Sequence, residues 1–224
     1  MRELLKKVYN KSQKEFFELL EENLKIDKKM FVVTANPETL MIGVNTPEFK
    51  NVLMKDNVTI TPDGIGVVKA LSMLNIEVQE RVTGVEISKH LLEVGSQNHK
   101  SVYLYGAKPE VLEALVALIE TEFPNLKVLG AKDGYNNNED DVFIDIVDKK
   151  PDIVLVALGI PRQELLINKY YDQMEKGIFV GVGGSFDVLS GTKKRAPKVF
   201  IKLNLEWLYR ISKEPKRFGR FYSS

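Results

Sequence analysis

Cysteine is absent from this chain of 224 residues, and histidine occurs twice. Without thiols there is no disulfide framework, no thiolate metal site and no cysteine nucleophile, and a disulfide-free chain fits the cytoplasm. His90 and His99 stand far from any matching ligand set, so no zinc site is expected. Long apolar runs are missing too: no segment reaches the roughly 18 consecutive apolar residues that would span a bilayer. Residues 1–29 interleave charged and apolar side chains, with no apolar region of the signal-peptide kind. Any contact with a membrane is therefore expected to be peripheral.

Several chemical signatures are also lacking. Gly183-Gly184-Ser185-Phe186-Asp187 is one glycine short of a nucleophile elbow. The stretch from Gly181 to Phe186 misses the dinucleotide fingerprint, and no Walker lysine follows a glycine-rich loop. No Asp-Xaa-Asp pair occurs, which removes the commonest device by which sugar-nucleotide enzymes hold a divalent metal. Neither a metal nor a cofactor is expected. Asp140-Asp141 reads as the solvated start of a helix.

What is present suffices for one core. Hydrophobic residues make up 44% of the chain and charged residues 28%, which suits a single globular domain with a small appendage. The net charge of +1 conceals an asymmetry: from Thr192 onward ten Lys/Arg face two Glu, a local +8, leaving −7 on the body. A basic tail on an acidic body points to an anionic partner such as phospholipid or substrate phosphates, or to a solvated basic face. The acidic body and the lack of a reader motif argue against nucleic acid.

Periodicity supplies the architecture. Phe16, Leu19, Leu20 and Leu24 share one face of a helix expected over 12–25. Short apolar runs at 30–34, 58–61, 101–105, 126–129, 152–158 and 177–181 read as strands, with 152–158 the clearest buried one. Helices are expected at 65–74, 85–96 and 109–122, after the loop 134–138 and after Pro161, with Pro109 in a first turn. The alternation predicts an α/β fold with a Rossmann-like, largely parallel sheet flanked by helices, over residues 1–195. Residues 196–224 form a basic appendage in which Phe200, Leu203, Trp207, Leu208 and Ile211 make one apolar helical stripe among lysines and arginines. That stripe either lies in a lipid interface or packs on the domain, and its exposure would favour a homo-oligomer.

In a parallel sheet, ligands bind beyond the carboxyl ends of the strands. Five such ends combine Gly or Pro with small polar residues: 34–37, 61–64, 106–109, 159–164 and 181–185. Glycine admits a ligand close to the backbone, and helix N-termini offer N–H groups to phosphate, so together they suggest a nucleotide-sized site. Asp63 leads the candidates for a catalytic base, with capping of the next helix as its alternative role. Arg81 is a candidate phosphate partner, with a surface salt bridge as the alternative.

These residues carry a family resemblance. The blocks 34–38 (TANPE), 62–64 (PDG), 80–84 (ERVTG), 159–164 (GIPRQE), 181–187 (GVGGSFD), 195–197 (RAP) and 205–210 (LEWLYR), with Glu214-Pro215, resemble the WecG/TagA/CpsF glycosyltransferase family in order and spacing. The resemblance runs from about residue 32 to 220. It implies an inverting, metal-independent transfer. In the branch that the chain most resembles, the donor is UDP-N-acetylmannosamine and the acceptor undecaprenyl-diphosphate-linked N-acetylglucosamine, giving the linkage unit of wall teichoic acid. Related branches use glucose or an acidic N-acetylmannosamine, and a non-catalytic nucleotide- or lipid-binding module is the alternative of a different class. By the resemblance, Asp63 is the general base and Thr34 and Asn36 line the sugar pocket. Arg81 and Gln163 border the donor, while the Gly106 and Gly183-Gly184 turns contact the nucleotide. Ala107 departs from the pattern, which has a second glycine there. Arg210, Arg217 or Arg220 would meet a diphosphate while the appendage holds the enzyme peripherally on the anionic inner face of the bacterial cell membrane.

Overall fold

A computed structural model describes residues 1–193 of the protein. The appendage, its boundary after residue 195, and Arg210, Arg217 and Arg220 lie outside the described residues. Strands β1 (Met30–Ala35), β2 (Val58–Pro62), β3 (Ser101–Gly106), β4 (Lys127–Lys132), β5 (Ile153–Ala157) and β6 (Ile178–Gly181) form one sheet in the order β2-β1-β6-β5-β3-β4. Every neighbouring pair is parallel, which agrees with the α/β, Rossmann-like expectation.

The helices are α1 (Arg2–Lys6), α2 (Gln13–Lys25), α3 (Pro37–Asn45), α4 (Pro47–Met54), α5 (Ile65–Ser72), α6 (Gly84–Gln97), α7 (Pro109–Glu122), α8 (Glu139–Lys149), α9 (Arg162–Tyr170) and α10 (Ser185–Leu189). Their starts follow local chemistry. Ser12, Asn36 and Thr83 build reciprocal capping boxes with Glu15, Thr39 and Glu86. Pro109 opens α7. Asn138 caps α8, whose first turn holds Glu139, Asp140 and Asp141, where acidic groups meet the positive end of the helix.

A parallel sheet must be covered on both faces, and alternate side chains serve each. Phe31, Val33, Tyr103, Tyr105, Val154 and Val156 pack on one side with residues of α1, α3, α4, α5, α8 and α9. Val32, Val102, Leu104, Ile153 and Leu155 pack on the other with α2, α6, α7 and Phe186 of α10.

Residues 37–54 depart most from what periodicity announces, since they form two helices. Gly43 sits inside α3, where glycine is a poor helix former, and a Cβ there would stand 2.6 Å from Leu53 Cδ1 of α4. Close packing of the two helices thus determines a residue that weakens the helical signal.

The sheet is locked at its amino-terminal edge. Asp152, just before β5, accepts hydrogen bonds from Ser101 N (2.8 Å), Ser101 Oγ (2.6 Å) and Lys176 Nζ (2.6 Å). Burial would raise this carboxyl, but the bonds from Lys176 and Ser101 outweigh it and hold Asp152 below the ordinary carboxylate range. Its stabilisation is therefore present above the unfolded-state value and lost as pH falls through the depressed folded one. Asp152→Ala is expected to lower the unfolding free energy at pH 7 by about 2–3 kcal/mol, read by urea titration, with the difference shrinking in acid.

Candidate active site

The loops leaving β1 and β5 turn to one face of the sheet, and those leaving β6 and β3 turn to the other. Because these strands lie in the order β1-β6-β5-β3, neighbouring exits diverge. A crevice must open above them. It is a cleft of about 460 Å³, lined by residues that follow all six strands, and its size suits a small-molecule ligand.

Six of the sequence candidates meet there: Thr34, Asn36, Asp63, Gln163, Gly183 and Gly184. Thr34, one residue before the end of β1, is buried, and its Oγ1 donates to Gly181 O at 2.8 Å, so its hydroxyl ties β1 to β6. Asn36 Oδ1 accepts from Thr39 N at 2.9 Å, which fixes its side chain as the cap of α3. Asp63 follows β2 directly. Its backbone N donates to Ala35 O, and its Oδ2 accepts from Gly84 N, the first residue of α6, at 3.4 Å. It does not cap α5, whose N-cap is Gly64. Its carboxylate instead meets the N-terminus of α6 while lining the cleft.

Gln163 is 1% exposed and joins two turns. Its Oε1 accepts from Gly159 N and from Gly183 N, both at 3.1 Å, bridging the loops after β5 and β6. The Gly183 N–H is thus already bonded within the protein. Gly183 has φ +50° and Gly159 φ +84°, left-handed values that favour glycine.

Arg81 and Gly106 are not among the described residues that line the cleft. Arg81 is half-buried in the connection between α5 and α6. Gly106 lies against β5, where a Cβ would stand 2.4 Å from Ala157 O, so close backbone approach accounts for this glycine. Ala107, which replaces the expected second glycine, keeps the left-handed conformation at φ +61° and itself lines the cleft.

The structure adds residues that sequence reasoning did not single out. Lys108, Tyr135, Asp187 and Lys193 line the cleft. Lys108 and Asp187 lay within strand-end or family blocks, which was the available signal. Tyr135 is 71% exposed, on a loop whose backbone N–H groups at Tyr135 and Asn136 both donate to Asp133 Oδ1. Lys193 pairs with Asp187 at 3.3 Å. Among the described residues, no group of three or more His, Asp or Glu is placed to hold a metal ion.

A sequence profile of the Glycosyl transferase WecG/TagA/CpsF family matches residues 3–224. The chain belongs to the WecG/TagA/CpsF glycosyltransferase family. It is similar to the N-acetylglucosaminyldiphosphoundecaprenol N-acetyl-beta-D-mannosaminyltransferase of Bacillus subtilis (strain 168), with 41% identity over 216 residues, 96% of this chain and 84% of the relative. Proteins of the same name from Bacillus spizizenii and Staphylococcus aureus (strain MW2) are 39% and 37% identical over 88% and 87% of this chain, and each is covered over 76% of its own length.

In this WecG/TagA/CpsF glycosyltransferase, Glu164 is the most perturbed acid near the site. It is fully buried, and desolvation pushes its carboxyl up to about 7 despite hydrogen bonds from Gln163 and from its own backbone. The folded protein keeps this proton where the unfolded chain has released it. Stability is therefore greatest below the unfolded value of 4.5 and falls as pH rises to about 7. Glu164→Gln should remove that slope. Relative to wild type it should gain about 3 kcal/mol of unfolding free energy between pH 4.5 and pH 8, measured by urea titration at each pH.

Proposed function

We propose that the protein transfers N-acetylmannosamine from UDP-N-acetylmannosamine to undecaprenyl-diphosphate-linked N-acetylglucosamine, forming the linkage unit of wall teichoic acid. The observation that carries this reading is Asp63 on the floor of a nucleotide-sized cleft, in a chain 41% identical to a relative named for that acceptor and that sugar.

The chemistry needs one displacement. Asp63 takes the proton of the acceptor hydroxyl, whose oxygen attacks the anomeric carbon. The bond from that carbon to the UDP oxygen breaks, and its electron pair leaves with the diphosphate. A single displacement inverts the anomeric centre. Thr34 and Asn36 border the sugar, and the turns at Gly159 and Gly183-Gly184 border the nucleotide.

The departing diphosphate sets an electrostatic requirement. The described lining holds three acids, Glu38, Asp63 and Asp187, and two bases, Lys108 and Lys193. Two lysines among three carboxylates leave the leaving group poorly compensated, so further cations are needed. Arg210, Arg217 and Arg220 of the basic tail are the proposed source, with Arg81 as a reserve at the border of the site. The same tail would rest on anionic lipid, each Lys or Arg near the surface contributing about 1 kcal/mol. No helix among the described residues is long and apolar enough to cross a membrane, so the tail is the proposed route by which a polyprenyl acceptor and the cleft come together.

Asp63→Asn is expected to bind UDP within about threefold of wild type while turnover falls by about 10²- to 10⁴-fold. Calorimetry and UDP release with a lipid-linked acceptor analogue measure these; retained turnover contradicts the assignment of the base. Deleting residues 196–224 should abolish both sedimentation with anionic vesicles and transfer. Full activity of the truncated protein on a lipid-linked acceptor contradicts the proposed role of the tail.

A further inference from the structure

Glu164 has no part in the chemistry above, yet a buried carboxylate is an expensive group to keep. It is wholly inaccessible, and its Oε2 has no hydrogen-bond partner among the described residues. An apolar side chain of similar length would avoid the desolvation cost. Its other oxygen has a specific partner: Oε1 accepts from Gln163 Nε2 at 2.7 Å. On the far side of the same amide, Gln163 Oε1 accepts from Gly159 N and Gly183 N.

The three bonds admit one orientation of the amide. If it were flipped, its NH2 would face two N–H donors, and both bonds that bridge the turns would become repulsive. Without an acceptor at position 164, Nε2 would be a buried donor with no partner. Gln163 would then gain by rotating away, which releases both turns. The strand beneath is shaped for the pair: a Cβ on Gly181 would lie 2.7 Å from Gln163 Nε2 and 2.9 Å from Glu164 Oε1. Gly181 lies in β6 without a positive φ, so it is this close approach that calls for a glycine.

We propose that Glu164 is a positioning residue of the transferase, which acts through Gln163 to hold the β5 and β6 turns at the spacing that the nucleotide donor requires. The proposal rests on the reading of the cleft as the donor site. Glu164 itself does not line the cleft, so its influence on the donor is indirect.

The test compares Glu164→Met, which removes the acceptor, with Glu164→Gln, which keeps an oxygen at the same reach. Glu164→Asp keeps the carboxyl group but draws it back by one methylene, and serves if the Met variant does not fold. Two readouts apply to the full-length protein: UDP affinity and donor KM with kcat, and amide hydrogen exchange of Gly159 and Gly183 by NMR without ligand. Met and Asp should each weaken UDP binding and raise donor KM about tenfold while kcat changes less than about threefold, and should speed exchange at both glycines about tenfold. Gln should stay within about threefold of wild type on every readout. A purely structural role would lower kcat through loss of active protein and leave KM unchanged. The proposal is overturned if the folded Met or Asp variant keeps wild-type exchange and KM, or if Asp is tolerated and Gln is not. Faster exchange at Gly159 and Gly183 in variants of a protein whose wild type binds no UDP would uphold the clamp and refute the donor-site reading instead.

Discussion

An all-parallel sheet cannot leave either face bare, and that requirement organises the molecule. Helices must cover both sides, so the strand exits divide between the two faces. The neighbours β2 and β1 exit to the same face, while along β1, β6, β5 and β3 the exits alternate. The divergence opens the cleft, and Gln163 closes the gap left between two of the diverging turns. The site is thus a consequence of covering the sheet, held in shape by one buried amide.

The fold was largely legible because buried strands and amphipathic helices announce themselves by composition and period. The runs at 101–105 and 152–158 fall on β3 and β5, and the helix from Pro109 to Glu122 matches its expected bounds. The pair α3 and α4 was not legible, since Gly43 answers to Leu53 across a helix contact rather than to its own helix. The five-residue α10 is too short to show any period. At the site, proximity to strand ends brought Thr34, Asn36, Asp63, Gln163, Gly183 and Gly184 into view. It did not disclose what each side chain binds. Thr34 and Asn36 prove to have structural bonds as well, and Gly106 is explained by the backbone of β5. A local string cannot reveal such long-range neighbours.

The two ends of the sheet are chemically unlike. At the amino-terminal edge, Asp152 is satisfied on every side and its charge stabilises the fold. At the carboxyl edge, Glu164 is buried with one oxygen unpaired and keeps its proton to about pH 7. Carboxylates that hold a fold together are paired, whereas costly ones gather where geometry is held for a ligand. The described cleft lining carries three acids, Glu38, Asp63 and Asp187, against two lysines, Lys108 and Lys193.

Membership in the WecG/TagA/CpsF family makes the chain a glycosyltransferase, and its donor and acceptor are open to direct assay. The most direct measurement incubates the full-length protein with undecaprenyl-diphosphate-linked N-acetylglucosamine and, separately, UDP-N-acetylmannosamine, UDP-N-acetylglucosamine and UDP-glucose, and resolves the lipid products by mass spectrometry. One product is expected, heavier by a single N-acetylhexosamine, from UDP-N-acetylmannosamine alone. Efficient transfer from UDP-glucose, or no transfer from UDP-N-acetylmannosamine to this acceptor, would contradict the proposed function.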